Sequence, residues 1–154
     1  MAKIKKILFP TDFSEASLAA LPYAVDIAQL FKAQIFVIHV VPLFPSPAEG
    51  PGYGPELDYL NYLRTDANKA LDQLLAKKIP KEVKASKFLT DGDEAQEILR
   101  AVESLHIDLI TISTHGRTGW HHLVFGSVAE KVIRMSHVPV LTVRGQAVTG
   151  ARKK

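Results

Sequence analysis

Residues 108–128 read DLITISTHGRTGWHHLVFGSV, and this stretch indicates both a fold and a kind of site. Its beginning, 108–113, has the apolar character of a buried strand, and the residues after 113 are interrupted by glycines at 116, 119 and 126. Glycine lets the main chain approach a ligand closely, and the N–H groups at a helix start carry partial positive charge. A strand, a glycine-rich loop and a helix N-terminus in this order are typical of phosphate-binding sites.

The rest of the chain alternates between strand-like apolar segments and amphipathic helical segments. We predict strands at 7–9, 35–41, 83–89, 108–113 and 138–143, and helices spanning 18–28, 60–77, 95–105 and 127–136. The first two strands are apolar along their length, which is typical of parallel strands covered on both faces. Because right-handed crossovers place helices above and below such a sheet, the alternation predicts a doubly wound α/β domain with five parallel strands.

Local signals predict where two of the helices begin. Asp12 or Ser14 is placed to cap the first helix. Pro22 falls inside that helix and is expected to kink or weaken it. Asp93 with Gln96 has the spacing of a capping box for the third helix.

Composition narrows the class of protein. The 154 residues suit one domain, predicted at 1–145, with a basic tail at 146–154 that we predict to be disordered. The chain has no cysteine, no apolar stretch long enough to span a bilayer and no signal-peptide pattern, which predicts a soluble cytoplasmic protein. The net charge is +3, and the basic residues form no stripe interleaved with aromatic ones, so nucleic acid is the least favoured partner.

Two loops of this domain are expected to meet. In doubly wound sheets, ligands bind beyond the carboxyl ends of the strands where the winding direction reverses. If the first and fourth strands are neighbours, Pro10-Thr11-Asp12 and the loop 113–127 face one crevice. Asp12 can then accept hydrogen bonds from a ribose diol, while Arg117 and Ser127 donate to phosphate oxygens. This arrangement predicts a nucleotide site.

Each of these residues also has a purely structural interpretation. Ser127 with Glu130 has the spacing of a capping box, so Ser127 can start its helix, bind a ligand, or do both. Asp12 taken alone would be a helix N-cap, and Gly119 would serve a turn. The histidines at 115, 121 and 122 are not accompanied by a set of carboxylates or cysteines, and we predict no metal cage there.

Three segments carry most of a resemblance to the universal stress proteins, with shorter matches at His39-Val40 and at Val138 to Leu141, and the resemblance extends over residues 3–144. The first is Lys6 to Ser14, KILFPTDFS, and the second is Thr114-His115-Gly116. Nine residues later comes the third, Gly126 to Val132, GSVAEKV. The nucleotide-binding members of that family carry Gly, two residues, Gly, nine residues, and then Gly with Ser or Thr. A spacing kept over so long a gap makes the match specific.

The resemblance implies a flavodoxin-like sheet, of the adenine nucleotide alpha hydrolase-like kind, with strand order 3-2-1-4-5 and bound ATP carrying Mg²⁺ on its phosphates. By positional match, the phosphate-binding residues are Gly116, Arg117, Gly126, Ser127 and Val128, with Gly119 in the same turn. Asp12 would hold the ribose. The residues expected to surround the adenine are Pro10, Thr11, Val40 and Ile112.

One position departs from the family pattern, because its first glycine falls on Ser113. The serine hydroxyl is small and able to contact the nucleotide. If the site requires a positive φ or the closest approach of the main chain, however, the Cβ of Ser113 weakens binding.

The last predicted strand lies at the sheet edge in the implied order. It is apolar along most of its length, and an uncovered edge of that kind invites pairing with another chain. We therefore predict a homodimer joined through Val138 to Val143, an assembly that the resembling family also forms.

Three functions remain open on this sequence. The first is an ATP-binding regulatory or stress-response protein, with the proline-rich loop 42–55 as a lid or partner surface. The second is an ATPase, and we expect its turnover to be slow because no well-placed general base is evident. The third is an interaction module that acts without a nucleotide.

Overall fold

The computed structural model describes residues 3–43, 54–115 and 125–145, with side chains from residue 58 onward in the second range. The predicted tail at 146–154, residues 44–53 of the proline-rich loop, and residues 116–124 lie outside the described residues. The predicted limits of the domain and its tail stay predictions.

Five parallel strands form one sheet. They are β1 (Lys6–Pro10), β2 (Gln34–Val41), β3 (Ala85–Asp91), β4 (Leu109–Ser113) and β5 (Val140–Val143). Their order is β3-β2-β1-β4-β5, which confirms the predicted sheet and the implied order. In register, Ile7 of β1 lies beside Ile35 of β2 and Leu109 of β4. The winding direction therefore reverses between β1 and β4, at the centre of the sheet.

Five helical segments connect the strands within the described ranges. They are α1 (Glu15–Leu18), α2 (Leu21–Phe31), α3 (Gly54–Lys78), α4 (Glu94–Leu105) and α5 (Ser127–Met135). In the part of the chain that the structure describes, no helix has both the length and the apolar character needed to cross a membrane.

The helices cover both faces of the sheet. One apolar cluster combines buried residues of α2 and α3 with Ile7 and Phe9 of β1, and a second combines α4 and α5 with Leu8. Ile7, Leu8 and Phe9 have no exposed surface. Successive side chains of a strand point to opposite faces, so a strand packed on both faces needs the continuous apolar run that β1 has.

The prediction of one long first helix with a kink at Pro22 is wrong. The segment divides into α1 and α2, and Pro22 lies in the first turn of α2. The N–H groups of a first turn have no acceptor within their helix, so proline removes no hydrogen bond there and its fixed φ suits a helix start. Of the two candidate caps for α1, the structure selects Ser14, whose side chain accepts from the Ser17 N–H at 3.1 Å.

One of the two predicted capping boxes has its N-cap in place. The Asp93 side chain accepts from the Gln96 N–H at 3.0 Å. The capping-box interpretation of Ser127 is wrong, because Gly126 occupies the N-cap position of α5 without a side-chain cap and Ser127 is the first helical residue. An N-cap needs the extended backbone that Gly126 has, with φ −70° and ψ 158°.

Helix α4 ends in a left-handed residue that is not glycine. His106 has φ 53°, the N–H of Ile107 donates to the Val102 carbonyl at 3.0 Å, and the N–H of His106 donates to the Glu103 carbonyl at 3.2 Å. This pair of bonds is a Schellman motif, which favours glycine at the left-handed position.

We expect His106→Gly to raise the free energy of unfolding by about 0.5–1 kcal/mol, because relief of the left-handed strain exceeds the entropy that glycine loses on folding. Urea denaturation measures the change. His106→Ala, which keeps a Cβ, is the matched control and should give no gain. Equal stability of the glycine and alanine variants would contradict this account.

Candidate functional site

A cavity of about 570 Å³ opens beyond the carboxyl ends of the central strands. Its walls come from the loop after β1, the end of β2, the end of β4 and the N-terminal turns of α4 and α5, with part of α3 opposite. This is the place where the winding direction reverses, and in doubly wound sheets ligands bind at such a point.

The cavity collects most of the residues that the sequence pointed to. Nine of the twelve candidates line it, namely Pro10, Thr11, Asp12, Val40, Ile112, Ser113, Gly126, Ser127 and Val128. The other three, Gly116, Arg117 and Gly119, lie outside the described residues. The loop after β1 and the described ends of the loop 113–127 therefore line one cavity, as the neighbouring positions of β1 and β4 predicted.

Sequence reasoning missed one wall of the cavity. Tyr59, Leu63, Asp66 and Ala67 of α3 line it, although their spacing indicated only a helix with an apolar face. His39 also lines the cavity, next to the predicted Val40. A polar residue near the end of an otherwise apolar buried strand is a signal that could have marked it. No signal of that kind exists for the α3 residues, because their position depends on how the helix packs.

The loop after β1 is held by a directed chain of hydrogen bonds. The Phe13 N–H donates to Thr11 Oγ1 at 2.9 Å, Thr11 Oγ1 lies 2.9 Å from Ser17 Oγ, and Ser17 Oγ donates to the Ser14 carbonyl at 3.0 Å. A hydroxyl has one proton, and a carbonyl only accepts. Ser17 therefore donates to Ser14, and Thr11 donates to Ser17. Thr11 and Ser17 are each only 6% exposed, so this chain is shielded from water.

Asp12 is oriented by the same loop. Its Oδ1 accepts from the Ser14 N–H at 2.9 Å and from the Ser14 hydroxyl at 2.5 Å. Asp12 does not cap α1, since Ser14 has that role, and so the helix-cap interpretation of Asp12 is wrong. The carboxylate lines the cavity in a fixed orientation, and it is able to accept hydrogen bonds from a ligand hydroxyl.

The start of α5 supplies the donors on the other side. Gly126 donates to the Thr114 carbonyl at 2.6 Å, and Glu130 donates back to the Gly126 carbonyl at 2.9 Å. Within the described residues, the N–H groups of Ser127, Val128 and Ala129 have no main-chain or side-chain acceptor, and all three residues line the cavity. Such groups at a helix N-terminus form an anion site.

Gly126 is closely packed at this helix start. A Cβ at this position would lie 3.2 Å from the Thr114 carbonyl oxygen, which is the acceptor of the Gly126 N–H. A side chain there would need the Thr114 carbonyl to shift by a few tenths of an ångström.

Ser113 fits its position without strain. It belongs to β4, is 5% exposed, and is not among the residues with positive φ, so the left-handed conformation that would penalise serine does not occur. A Cβ placed on Gly145 would lie 3.1 Å from Ser113 Oγ. The serine side chain is thus accommodated by a glycine on the segment after β5.

The described lining of the cavity is acidic. Asp12, Asp66 and Glu94 line it, whereas no lysine or arginine does within the described residues. Nearby, Arg64 of α3 makes a bidentate ion pair with Asp91 at the end of β3. The hydrogen bond to Asp91 and, to a smaller extent, the Asp91 charge raise the pKa of Arg64. Attraction for an anion in this part of the site therefore comes from the helix N–H groups.

The comparisons with known proteins agree on one family. The model of the universal stress protein family matches residues 3–144. Universal stress protein MJ0531 of Methanocaldococcus jannaschii is 39% identical over 145 residues, covering 91% of this chain and 82% of that protein. The structure of MJ0577, from the same organism, has a TM-score of 0.82 at 28% identity and covers 96% of this chain and 99% of that chain.

Two more distant structures share the fold. One is a universal stress protein in complex with cAMP, with a TM-score of 0.61 at 19% identity, covering 94% of this chain and 99% of that one. The other is the Archaeoglobus fulgidus protein in complex with dAMP, with a TM-score of 0.56 at 18% identity, covering 94% of this chain and 100% of that one.

We expect Thr11→Val and Ser17→Ala each to lower the free energy of unfolding by about 1–3 kcal/mol, since the first leaves the Phe13 N–H without its acceptor and the second leaves the Thr11 hydroxyl without its acceptor. The double variant should lose less than the sum, with a coupling of about 0.5–1.5 kcal/mol. Urea unfolding of the four proteins measures this cycle. Strictly additive losses would show that the two hydroxyls do not depend on each other.

Proposed function

The chain belongs to the universal stress protein family, and on that premise we propose that it binds ATP in the cavity beyond β1 and β4 and acts as a nucleotide-dependent regulatory protein in a stress response. The observation that carries the proposal is the pairing of an oriented carboxylate, Asp12, with N–H groups at the start of α5 that have no acceptor within the described residues, across one cavity. A carboxylate suits a ribose diol, and the helix start suits phosphate.

The size and lining of the cavity support a nucleotide ligand. Its volume of about 570 Å³ lies within the range of about 300–1,000 Å³ that is common for small-molecule sites. Pro10, Val40 and Ile112 supply an apolar part of the lining that suits the base. The two distant relatives of this fold that were solved with cAMP and dAMP support adenine as that base.

Magnesium would enter with the phosphates. In the described part of the chain, no group of three or more acidic or histidine side chains is placed to hold a metal ion. Mg²⁺ commonly keeps several waters and is bound through substrate phosphates with one or two carboxylates. We propose that the ion sits on the triphosphate, with the acidic lining of the cavity beside it.

The nucleotide prediction concerns Asp12. We expect Asp12→Ala to weaken ATP binding about tenfold or more, because hydrogen bonds to a charged acceptor contribute about 1.5–3 kcal/mol. The charge that the variant removes also repels the phosphates, and screening by salt weakens that repulsion with distance. We expect the loss of the hydrogen bonds to outweigh the relief of this repulsion. Isothermal titration with ATP and Mg²⁺ measures the affinity.

Asp108→Ala is the matched control for this experiment. Asp108 also accepts two main-chain hydrogen bonds, from the N–H groups of Lys5 and Lys6. It lies directly before β4, at the amino-terminal ends of the strands, whereas the cavity lies beyond their carboxyl ends. Loss of Asp108 removes the same charge and should leave the affinity for ATP unchanged. A wild-type protein that neither retains a nucleotide nor binds added ATP would refute the proposed function and would favour an interaction module that acts without one.

We also propose a homodimer through β5, the edge strand at 140–143 that follows Val138. The N–H groups of Ile110 and Thr114 donate to the carbonyls of Pro139, just before β5, and of Val143 at the end of β5. In a parallel ladder, bonding to one neighbour uses alternate residues. The main-chain groups of Val140 and Thr142 consequently face the open edge, where a second chain would pair.

We expect the wild-type protein to sediment as a dimer at micromolar concentration and Thr142→Pro to sediment as a monomer. Proline removes an outward N–H while the bonds to β4 remain, and edge strands tolerate proline at such positions. Thr142→Val keeps the N–H and should stay dimeric. A monomeric wild-type protein, or a proline variant that still dimerises, would exclude this interface.

A further inference from the structure

His39 contacts the loop after β1 in two ways. Its Nδ1 lies 2.8 Å from the Thr11 carbonyl oxygen, and its ring centroid lies 4.5 Å from that of Phe13, tilted by 32°. A carbonyl oxygen only accepts, so Nδ1 must carry the proton in this bond. One imidazole on β2 therefore touches the residue before Asp12 and the residue after it.

The loop is held in a conformation that it would not adopt alone. Phe13 has φ 65°, in the left-handed region that is unfavourable for a bulky residue. Such a residue persists only where its surroundings enforce the conformation, and these positions cluster at functional sites. Here the Phe13 N–H is held by Thr11 Oγ1, and the Phe13 ring packs on His39. The main chain contributes one further bond, from the Thr11 N–H to the Ile38 carbonyl at 3.0 Å.

We propose that His39 is a positioning residue for the nucleotide site. Its Nδ1–H holds the Thr11 carbonyl and its ring holds Phe13, so that Asp12 is presented to the ribose before the ligand arrives. This inference rests on the proposed function. When only a fraction of the molecules is competent to bind, the apparent dissociation constant rises by the inverse of that fraction.

Two substitutions separate the hydrogen bond from the bulk of the ring. His39→Leu keeps an apolar side chain of moderate size and removes the donor. His39→Asn loses the ring but carries an amide N–H at about the reach of Nδ1. If the competent fraction falls to about one tenth in His39→Leu, the affinity for ATP falls about tenfold, and His39→Asn should stay within about threefold of the wild type. His137→Leu is the matched control, since His137 is exposed and pairs with Glu103 at 3.1 Å, and it should bind like the wild type.

The test is titration of the four proteins with ATP and Mg²⁺, together with their thermal unfolding and the ¹⁵N spectrum of the histidines. We expect loss of affinity in His39→Leu, rescue in His39→Asn, and an Nδ1-protonated His39 in the free wild-type protein. A purely structural role would lower the unfolding temperature of His39→Leu without changing its affinity, and that result would overturn the inference. So would an affinity for His39→Asn as low as for His39→Leu, or an Nε2-protonated neutral ring.

The outcomes also separate this inference from the proposed function. Wild-type protein that binds ATP, with a His39→Leu variant that binds equally well, would overturn the role of His39 alone. Wild-type protein that does not bind ATP would overturn both.

Discussion

The reversal of winding between β1 and β4 is the constraint on which the rest of the structure depends. The chain leaves β1 towards α2 on one face of the sheet and leaves β4 towards α5 on the other. Two neighbouring parallel strands whose connections diverge cannot both be covered at their carboxyl ends, and a crevice opens there. The Asp12 loop and the N-terminus of α5 form the two sides of that crevice because they are the first segments to depart from it.

Much of this architecture was predictable because each strand carries its own signal. A run such as Ile7-Leu8-Phe9, apolar on both faces, is useful only in a sheet packed on both sides, and its burial is complete. The strand order could not be predicted in this way, because periodicity alone does not determine which strands are neighbours. The predicted order came from the resemblance to a family. The errors at Pro22 and Ser127 have one cause. A proline or a serine is compatible with several positions at a helix start, and the packing of the helix against the sheet decides among them.

The candidate site was predictable where it lies in the strand ends and hidden where it depends on long-range packing. Asp12 and Gly126 lie directly beside elements that are visible in the sequence, whereas the α3 wall reaches the cavity only because a helix of 25 residues lies across the sheet. The structure excludes one of the conditions under which Ser113 would weaken binding, because its φ is not positive. Its Oγ lies beside Gly145, where a Cβ would be 3.1 Å away.

The parallel character of every strand pair has a consequence for the growing chain on the ribosome. A parallel sheet contains no hairpin, and the pair at its centre joins Ile7 to Leu109, which are about a hundred residues apart in the sequence. Contacts between such distant segments form late and slow the folding of a domain. The crevice does not exist in a nascent chain that ends before β4. During synthesis, β1 remains unpaired on the side of β4 until residues 109–113 have been made, and an unpaired strand edge of this kind exposes a polypeptide to aggregation.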